Sequence, residues 1–195
     1  MSDLFESSDN ATPLEPDAQR HLKQSWITTR ADLNEAEQAN ILAGRQWAYR
    51  SRVNPTDNTY LKRLHQRMFG EVWTWAGQFR TIEVNIGTVR SYELPVRLRE
   101  FLDTTSYWIE HGTYPPDELV ARYHHGLVLI HPFTNGNGRH TRLAADLLCR
   151  RLAAPAFTWG SASLDSNGLV RARYITALRA ADRHDIAPLL AFARS

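Results

Sequence analysis

The sequence predicts an all-α domain that carries one short β-hairpin. Apolar residues recur at the three- and four-residue spacing of amphipathic helices through most of the chain. The two-residue alternation of a strand appears only around Ile82, Val84 and Ile86. The composition of the 195-residue chain, 43% hydrophobic and 23% charged, is typical of a globular domain with a buried core. We therefore expect a single domain over residues 21–195.

The first elements along the chain are an arm and two helices. Residues 1–20 are acidic, contain two prolines and have few large apolar side chains, which predicts a flexible N-terminal arm. The spacing of apolar residues predicts a helix over about residues 32–52, with Asp32 as its N-cap. A second helix is predicted over residues 56–69.

The hairpin and the later helices follow. Residues 73–95 change to strand-like alternation, and Gly87 supplies a turn, so this segment is predicted to form a flap. Helical spacing returns over residues 95–111 and again after two prolines, up to Ile130. A loop then leads to a helix that is predicted to begin near Arg139.

Charge and composition exclude several classes of function. The chain has 23 basic and 21 acidic residues, and a net charge of +2 does not favour binding to nucleic acid or to a membrane surface through charge alone. Neither a signal peptide nor an apolar stretch of membrane length is recognisable, so we expect a cytoplasmic protein. Cys149 is the single cysteine, which excludes an internal disulfide and a zinc site built from several thiolates.

The segment HPFTNGNGRHTR, residues 131–142, has the features of an anion-binding loop. A glycine-rich loop that enters a helix directs backbone N–H groups and the positive end of the helix dipole towards one point. Gly136 and Gly138 permit close approach, and Asn137 tolerates a left-handed conformation. Arg139 and Arg142, three residues apart, offer guanidinium groups that suit phosphate oxygens. The segment therefore predicts a polyphosphate site.

His131 precedes this loop and is a candidate general base. A neutral imidazole can remove a proton from an attacking hydroxyl, so a histidine beside a phosphate site indicates transfer of a phosphorus-centred group to an alcohol. Phe133 is predicted to anchor the loop in the core. His124, His125 and His140, taken together with His131, offer a metal-binding alternative, but their spacing matches no zinc motif.

The same segment resembles the core motif of the Fic (Fido) family, HPFx[DE]GNGRxxR, and departs from it only at Asn135. The flanking segments VWTWAGQFR and YITALRAADRHDIAPLLAF are also similar to the family, so the resemblance covers about residues 35–193. Within the family, Asn135 and the lead-in TTRADLNEAEQANIL are most similar to the group labelled mobile mystery protein B. The resemblance implies a Fic-type helical bundle with one short β-hairpin flap.

The resemblance also implies an activity, which is transfer of AMP from ATP to a Ser, Thr or Tyr hydroxyl of a target protein, with pyrophosphate leaving. His131 would act as the base. The nucleotide phosphates would be held by the loop and the two arginines, with Arg142 at the γ-phosphate. These residues are Thr134, Asn135, Gly136, Asn137, Gly138, Arg139 and Arg142. A flap would hold the target peptide by strand addition, formed by Ile86, Gly87, Thr88, Val89, Arg90, Ser91 and Tyr92.

Three features of the sequence, compared with the family pattern, leave alternatives open. Asn135 stands where the family places an acidic ligand for Mg²⁺, which implies weaker binding of the ion or a loop residue that only shapes the turn. Doc-like members carry lysine where this chain has Gly138 and act as kinases. Glu35 and Glu37 are the nearest candidates for an inhibitory glutamate that pairs with Arg142. A nucleotide-binding module of weak activity, with an antitoxin or other partner protein, is the second hypothesis.

Overall fold

The computed structural model describes residues 19–51, 54–83, 88–160 and 168–195. Within these residues it confirms the all-α prediction, because the chain forms seven α-helices and the extended pairings are the isolated bridges Leu22 to Trp73 and Phe79 to Phe133. The helices are α1 (Arg30–Arg50), α2 (Asn58–Phe69), α3 (Leu94–His111), α4 (Pro116–Ile130), α5 (Asn137–Arg151), α6 (Gly168–Ala181) and α7 (Ala187–Arg194). Most of the arm predicted over residues 1–20 lies outside the described residues.

Polar side chains and prolines fix the helix ends. The N-cap of α1 is Thr29 and not Asp32, because the Thr29 hydroxyl accepts the Asp32 N–H while the Asp32 carboxylate accepts the Thr29 N–H at 2.9 Å. Pro95 lies in the first turn of α3 and Pro116 begins α4, positions where the missing N–H costs nothing.

The described residues form two compact units, and the first comprises residues 19–51 and 62–78. Its centre is the crossing of α1 with the second part of α2, where a Cβ on Gly44 would lie 2.7 Å from the Arg67 carbonyl oxygen. Asn40 is buried beside this crossing; its amide donates to the Arg67 carbonyl at 3.0 Å and accepts the Glu71 N–H at 2.9 Å. The end of α2 is therefore capped by a side chain of α1.

The second unit comprises residues 54–61, 79–83, 88–160 and 168–195. Its core is formed where α4 packs along α5, with α3 against α4 and α6 against α7. The α5 helix is the most deeply placed, since residues 143–149 are all buried. Phe133 is fully buried, which confirms the prediction that it anchors the loop before α5.

Two predictions about the whole chain remain predictions. No helix among the described residues is both long enough and apolar enough to cross a bilayer. That finding does not test the cytoplasmic location, and the assignment of residues 21–195 to a single domain likewise stays a prediction.

Candidate active site

The loop of residues 131–136 joins α4 to α5 and contains two left-handed residues. His131 ends α4 with φ 49°, and Gly136 precedes α5 with φ 74°. The α5 helix begins at Asn137 and not near Arg139, and Asn137 itself is helical, so the predicted left-handed role belongs to Gly136. The buried Asn137 side chain accepts the Phe133 N–H at 3.0 Å and donates to the Phe133 carbonyl at 2.7 Å. Asn137 therefore closes the loop with its side chain, while its backbone N–H lies at the start of α5.

The start of α5 has the geometry of an anion site. The first bond of the helix runs from the His140 N–H to the Gly136 carbonyl, at 3.0 Å. The N–H groups of Asn137 and Gly138 precede that bond and have no partner in the helix backbone, and the helix dipole adds positive potential at this end. A Cβ on Gly138 would meet, among the described residues, only the Arg142 Nη1 atom, at an ordinary 3.5 Å. Packing within the protein therefore does not require glycine at position 138.

The two arginines of the motif differ in their surroundings. Arg139 lies in the first turn of α5 and Arg142 in the second, and both are half-buried. The Arg142 guanidinium lies 5.9 Å from the centre of the Tyr174 ring, within the range of a cation–π contact. Because its Nη1 atom also lies beside Gly138, Arg142 is directed towards the start of α5, where the candidate anion site lies.

His131 is neutral at pH 7 with a defined tautomer. Its Nδ1 atom lies 3.4 Å from the Val128 carbonyl oxygen, and because a carbonyl only accepts, Nδ1 carries the proton and Nε2 the lone pair. Burial lowers the pKa of His131 to about 4, and the nearby positive charge of Arg80 acts in the same direction. At pH 7 the side chain is therefore a free base and not an imidazolium.

Arg80 is the residue of this region that the sequence did not single out. It is 2% exposed, and its guanidinium donates to the carbonyl oxygens of His131 at 2.8 Å, Ile82 at 2.9 Å and Val89. Its own N–H bonds the Pro132 carbonyl at 3.0 Å. One side chain therefore joins both ends of the flap segment to the backbone of the candidate base. The only sequence signal was its place at the end of VWTWAGQFR, which supported the resemblance and gave it no role.

The flap is only partly described. Ile86 and Gly87 lie outside the described residues, as does Val84 of the predicted alternation. The Thr88 N–H bonds the Leu129 carbonyl at 3.0 Å, which fixes the segment beside the end of α4. The extended conformation predicted for Ser91 and Tyr92 is wrong, because residues Ser91–Glu93 form a 3₁₀ turn that leads into α3.

Two hydrogen bonds to the Glu83 carboxylate explain why the chain turns at Ser91. The Glu83 carboxylate accepts both the Ser91 N–H at 3.1 Å and the Ser91 hydroxyl at 2.9 Å, and these bonds lower the pKa of Glu83. Tyr92 remains 79% exposed. The peptide-holding role predicted for residues 86–92 stays a prediction.

Comparison with known proteins agrees with this geometry. A family model described as the Fic/DOC family matches residues 55–149. The chain is also 30% identical over 132 residues to the protein adenylyltransferase fic-1 of Caenorhabditis briggsae. The chain belongs to the Fic/DOC family. That alignment covers 66% of this chain but 25% of the relative, so the chain spans about a quarter of the relative's length.

Solved Fic domains share the fold. The N-terminal Fic domain of Bep8 from Bartonella sp. 1-1C gives a TM-score of 0.70 at 16% identity, covering 88% of this chain and 89% of that one. An N-terminal Fic domain from Bartonella quintana with bound ADP gives 0.67 at 17% identity, covering 96% of this chain and 91% of that one. These comparisons identify the family, and similarity to the mobile mystery protein B group stays a prediction.

The departure of this Fic domain from the motif at Asn135 replaces a carboxylate by an amide. The Asn135 Oδ1 atom accepts the Gly136 N–H at 2.6 Å, so it is engaged in shaping the turn. The loop contains no carboxylate, whereas Mg²⁺ is normally held by one or two carboxylates together with phosphate oxygens. The residues of the loop do not form a magnesium site of their own.

The histidines near the motif are engaged in other contacts. Among the described residues, no three His, Cys, Asp or Glu side chains are grouped so that they could hold a metal ion. His124 bonds the Tyr174 hydroxyl at 2.8 Å, His125 pairs with Asp182 at 2.8 Å, and His140 bonds the Leu61 carbonyl at 3.0 Å. These contacts make His124 and His140 parts of the core.

The two candidate inhibitory glutamates both lie on α1, in the first unit. Glu37 is buried and accepts the Trp73 indole N–H at 2.6 Å, whereas Glu35 is exposed. Glu37 therefore has a structural role as the acceptor of a buried indole. Its pairing with Arg142 stays a prediction.

Proposed function

We propose that this Fic domain transfers AMP from ATP to the hydroxyl group of a protein side chain. The observation that carries the proposal is His131, a neutral imidazole with its lone pair on Nε2, at the mouth of a backbone anion site. A loop that only binds nucleotides has no use for a base at this position. The names of the curated relatives, which are protein adenylyltransferases, support the same reaction.

The proposed step conserves atoms and charge. The hydroxyl oxygen of the target attacks the α-phosphorus of ATP and forms a new O–P bond. The bond between the α-phosphorus and the oxygen that bridges to the β-phosphate breaks, and pyrophosphate leaves. The hydroxyl proton passes to Nε2 of His131. The N–H groups at the start of α5, together with Arg139 and Arg142, would stabilise negative charge on the phosphates and on the leaving group.

The low pKa of His131 has a consequence for this step. A base with a pKa of about 4 is unprotonated at neutral pH but accepts protons weakly. Bound phosphates would place negative charge near the imidazole, and negative charge raises the pKa of a histidine. We therefore propose that ATP binding strengthens the base at the moment when it is required.

The loop residues suggest how the phosphates of the nucleotide would be bound. Thr134, Asn135, Gly136, Asn137 and Gly138 would surround the α- and β-phosphates, and Asn137 would contribute its backbone alone. Magnesium would arrive bound to the ATP phosphates, because the loop supplies no carboxylate to hold it. The residues assigned to the transfer would therefore act on the hydroxyl group and the phosphates directly, and none of them is assigned as a ligand of the ion.

The test is incubation of the protein with ATP labelled at the α-phosphate and, separately, at the γ-phosphate. Label would be read on the protein itself and on proteins of a bacterial lysate. We expect label from the α-position only, and we expect His131→Ala to lose about 100- to 10,000-fold of the transfer rate while it retains ATP affinity. His125→Ala is the matched control, since His125 pairs with Asp182 away from the loop. Transfer by His131→Ala at the parental rate would remove the assignment of the base.

Two alternatives are outcomes of the same experiment. Label from the γ-position would indicate a Doc-like kinase, in which the nucleotide is reversed; Gly138, where Doc-like members carry lysine, favours AMP transfer. Nucleotide binding with no label from either position would indicate a binding module that acts with an antitoxin or another partner protein. The intact base at position 131 favours the enzyme.

A further inference from the structure

Arg142 has an uncharged partner on α6. Tyr174 is 8% exposed, and its ring centre lies 5.9 Å from the Arg142 guanidinium carbon. Burial raises the pKa of Tyr174 to about 12, while the charge of Arg142 and its hydrogen bonding to the hydroxyl act in the opposite direction. A guanidinium has donors only, so the Tyr174 oxygen is the acceptor in that interaction.

His124 holds the other side of the Tyr174 hydroxyl. The Nε2 atom of His124 lies 2.8 Å from the hydroxyl oxygen, and the ring is fully buried against Trp159, at 4.6 Å between ring centres. The Trp159 indole N–H in turn donates to the buried Asp146 carboxylate at 2.9 Å. A hydroxyl that accepts from Arg142 can donate its own proton to Nε2, which places the His124 proton on Nδ1, beside the Thr141 backbone.

We propose that Tyr174 and His124 are positioning residues that hold the Arg142 guanidinium at the start of α5, where it binds the terminal phosphate of ATP. The proposal rests on the function proposed above, because it says how a site that uses ATP would come to prefer a triphosphate. Neither side chain would touch the nucleotide. Their effect would pass through Arg142 alone.

The two side chains that hold Arg142 carry no charge. A carboxylate beside Arg142 would hold the guanidinium equally well, but it would neutralise the positive charge and compete with phosphate. Burial lowers the pKa of His124 to about 3, so the imidazole is neutral at pH 7, and Tyr174 keeps its proton. The pair therefore fixes the direction of a long, flexible side chain and leaves its full charge for a ligand.

The experiment compares binding of ATP and of ADP by isothermal titration calorimetry, because only ATP carries the terminal phosphate. Tyr174→Phe keeps the ring and removes the hydroxyl. We expect it to weaken ATP binding by about 3- to 10-fold, the usual range for losing one hydrogen bond to a charged group, and to leave ADP binding unchanged. Tyr123→Phe is the matched control, since that fully buried tyrosine donates to the Pro55 carbonyl at 2.6 Å and should alter neither affinity.

A double-mutant cycle separates positioning from general loosening of the core. Arg142→Ala should remove the preference for ATP, and Tyr174→Phe added to it should cause no further loss. His124→Asn removes the imidazole that bonds the Tyr174 hydroxyl, so it should reduce the preference for ATP in the same way as Tyr174→Phe. Thermal unfolding of each variant shows whether it is folded at the titration temperature.

The outcomes also distinguish this proposal from the proposed function. A Tyr174→Phe variant that keeps the parental ratio of ATP to ADP affinity overturns the positioning role, even if the parent transfers AMP. A further loss when Tyr174→Phe is added to Arg142→Ala also overturns it. A parent whose ATP preference depends on Tyr174, but which transfers no AMP, supports the positioning role and contradicts the proposed transfer.

Discussion

Acidification should destabilise this protein well before its carboxylates protonate, because it buries neutral histidines. His124 and His140 are fully buried, and burial lowers their pKa values to about 3 and about 4. In the unfolded chain both titrate near 6.5. Between pH 6.5 and 4 the unfolded chain therefore binds protons that the folded protein does not, so stability is complete above this window and falls as the pH falls.

The size of the loss in unfolding free energy depends mainly on the pKa of histidine in the unfolded chain. At pH 5.5 an unfolded histidine is roughly nine-tenths protonated, which stabilises the unfolded chain by about 1.4 kcal/mol, against about 0.2 kcal/mol at pH 7. Each buried histidine should therefore cost about 1.2 kcal/mol between these pH values, and the two together about 2.5 kcal/mol. The half-buried His131, whose pKa is also lowered to about 4, acts in the same direction.

The assay is urea unfolding at pH 7.0 and 5.5, followed by the helical circular dichroism signal. His140→Gln keeps a donor for the Leu61 carbonyl and removes the titrating group. It should reduce the difference in unfolding free energy between the two pH values by about 1.2 kcal/mol. A difference as large in His140→Gln as in the parent would refute the reasoning.

Three further predictions concern the loop and α1. Asn135→Asp should lower the Mg²⁺ concentration needed for half-maximal AMP transfer if position 135 faces the ion, and an unchanged requirement with intact ATP binding would assign Asn135 to the turn alone. Gly138→Ala should leave the midpoint of thermal unfolding unchanged or slightly raised, since alanine is favoured over glycine in a helix by about 0.5–1 kcal/mol. The added methyl group should block the approach of the phosphates and weaken ATP binding at least about tenfold. ATP affinity equal to that of the parent would contradict this. Glu37→Gln keeps an acceptor for Trp73 and removes the charge, so inhibition by Glu37 predicts more self-labelling from ATP than in the parent or in Glu35→Gln, and no increase would exclude it.

The residues that act through local backbone geometry were predictable from the sequence. His131 and the glycine-rich loop are adjacent in the sequence, so the sequence predicted that the candidate base ends one helix and that the loop enters the next, as the structure shows. The start of α5 was placed two residues late, because asparagine and glycine are weak helix formers and the sequence gives no sign that Asn137 bonds the Phe133 backbone.

The residues that act across the fold were not predictable. Arg80 lies 51 positions from His131, and Tyr174 lies 50 positions from His124. No periodicity links such positions, because their contacts arise only when separate helices pack. In the flap the local pattern was misleading. The strand-like alternation around Ile82 predicted that the strand continues to Tyr92, but the bond from the Ser91 N–H to Glu83 and the start of α3 favour a 3₁₀ turn at Ser91.

The amide of Asn137 has a consequence for how a nucleotide would bind. Because both of its polar atoms bond the Phe133 backbone, the loop adopts its curved shape as part of folding. Such preorganisation removes the entropic cost of ordering the loop when a ligand arrives. Association should then be limited by encounter and not by a slow rearrangement, so rapid-mixing traces with ATP should show a single phase whose rate rises linearly with nucleotide concentration.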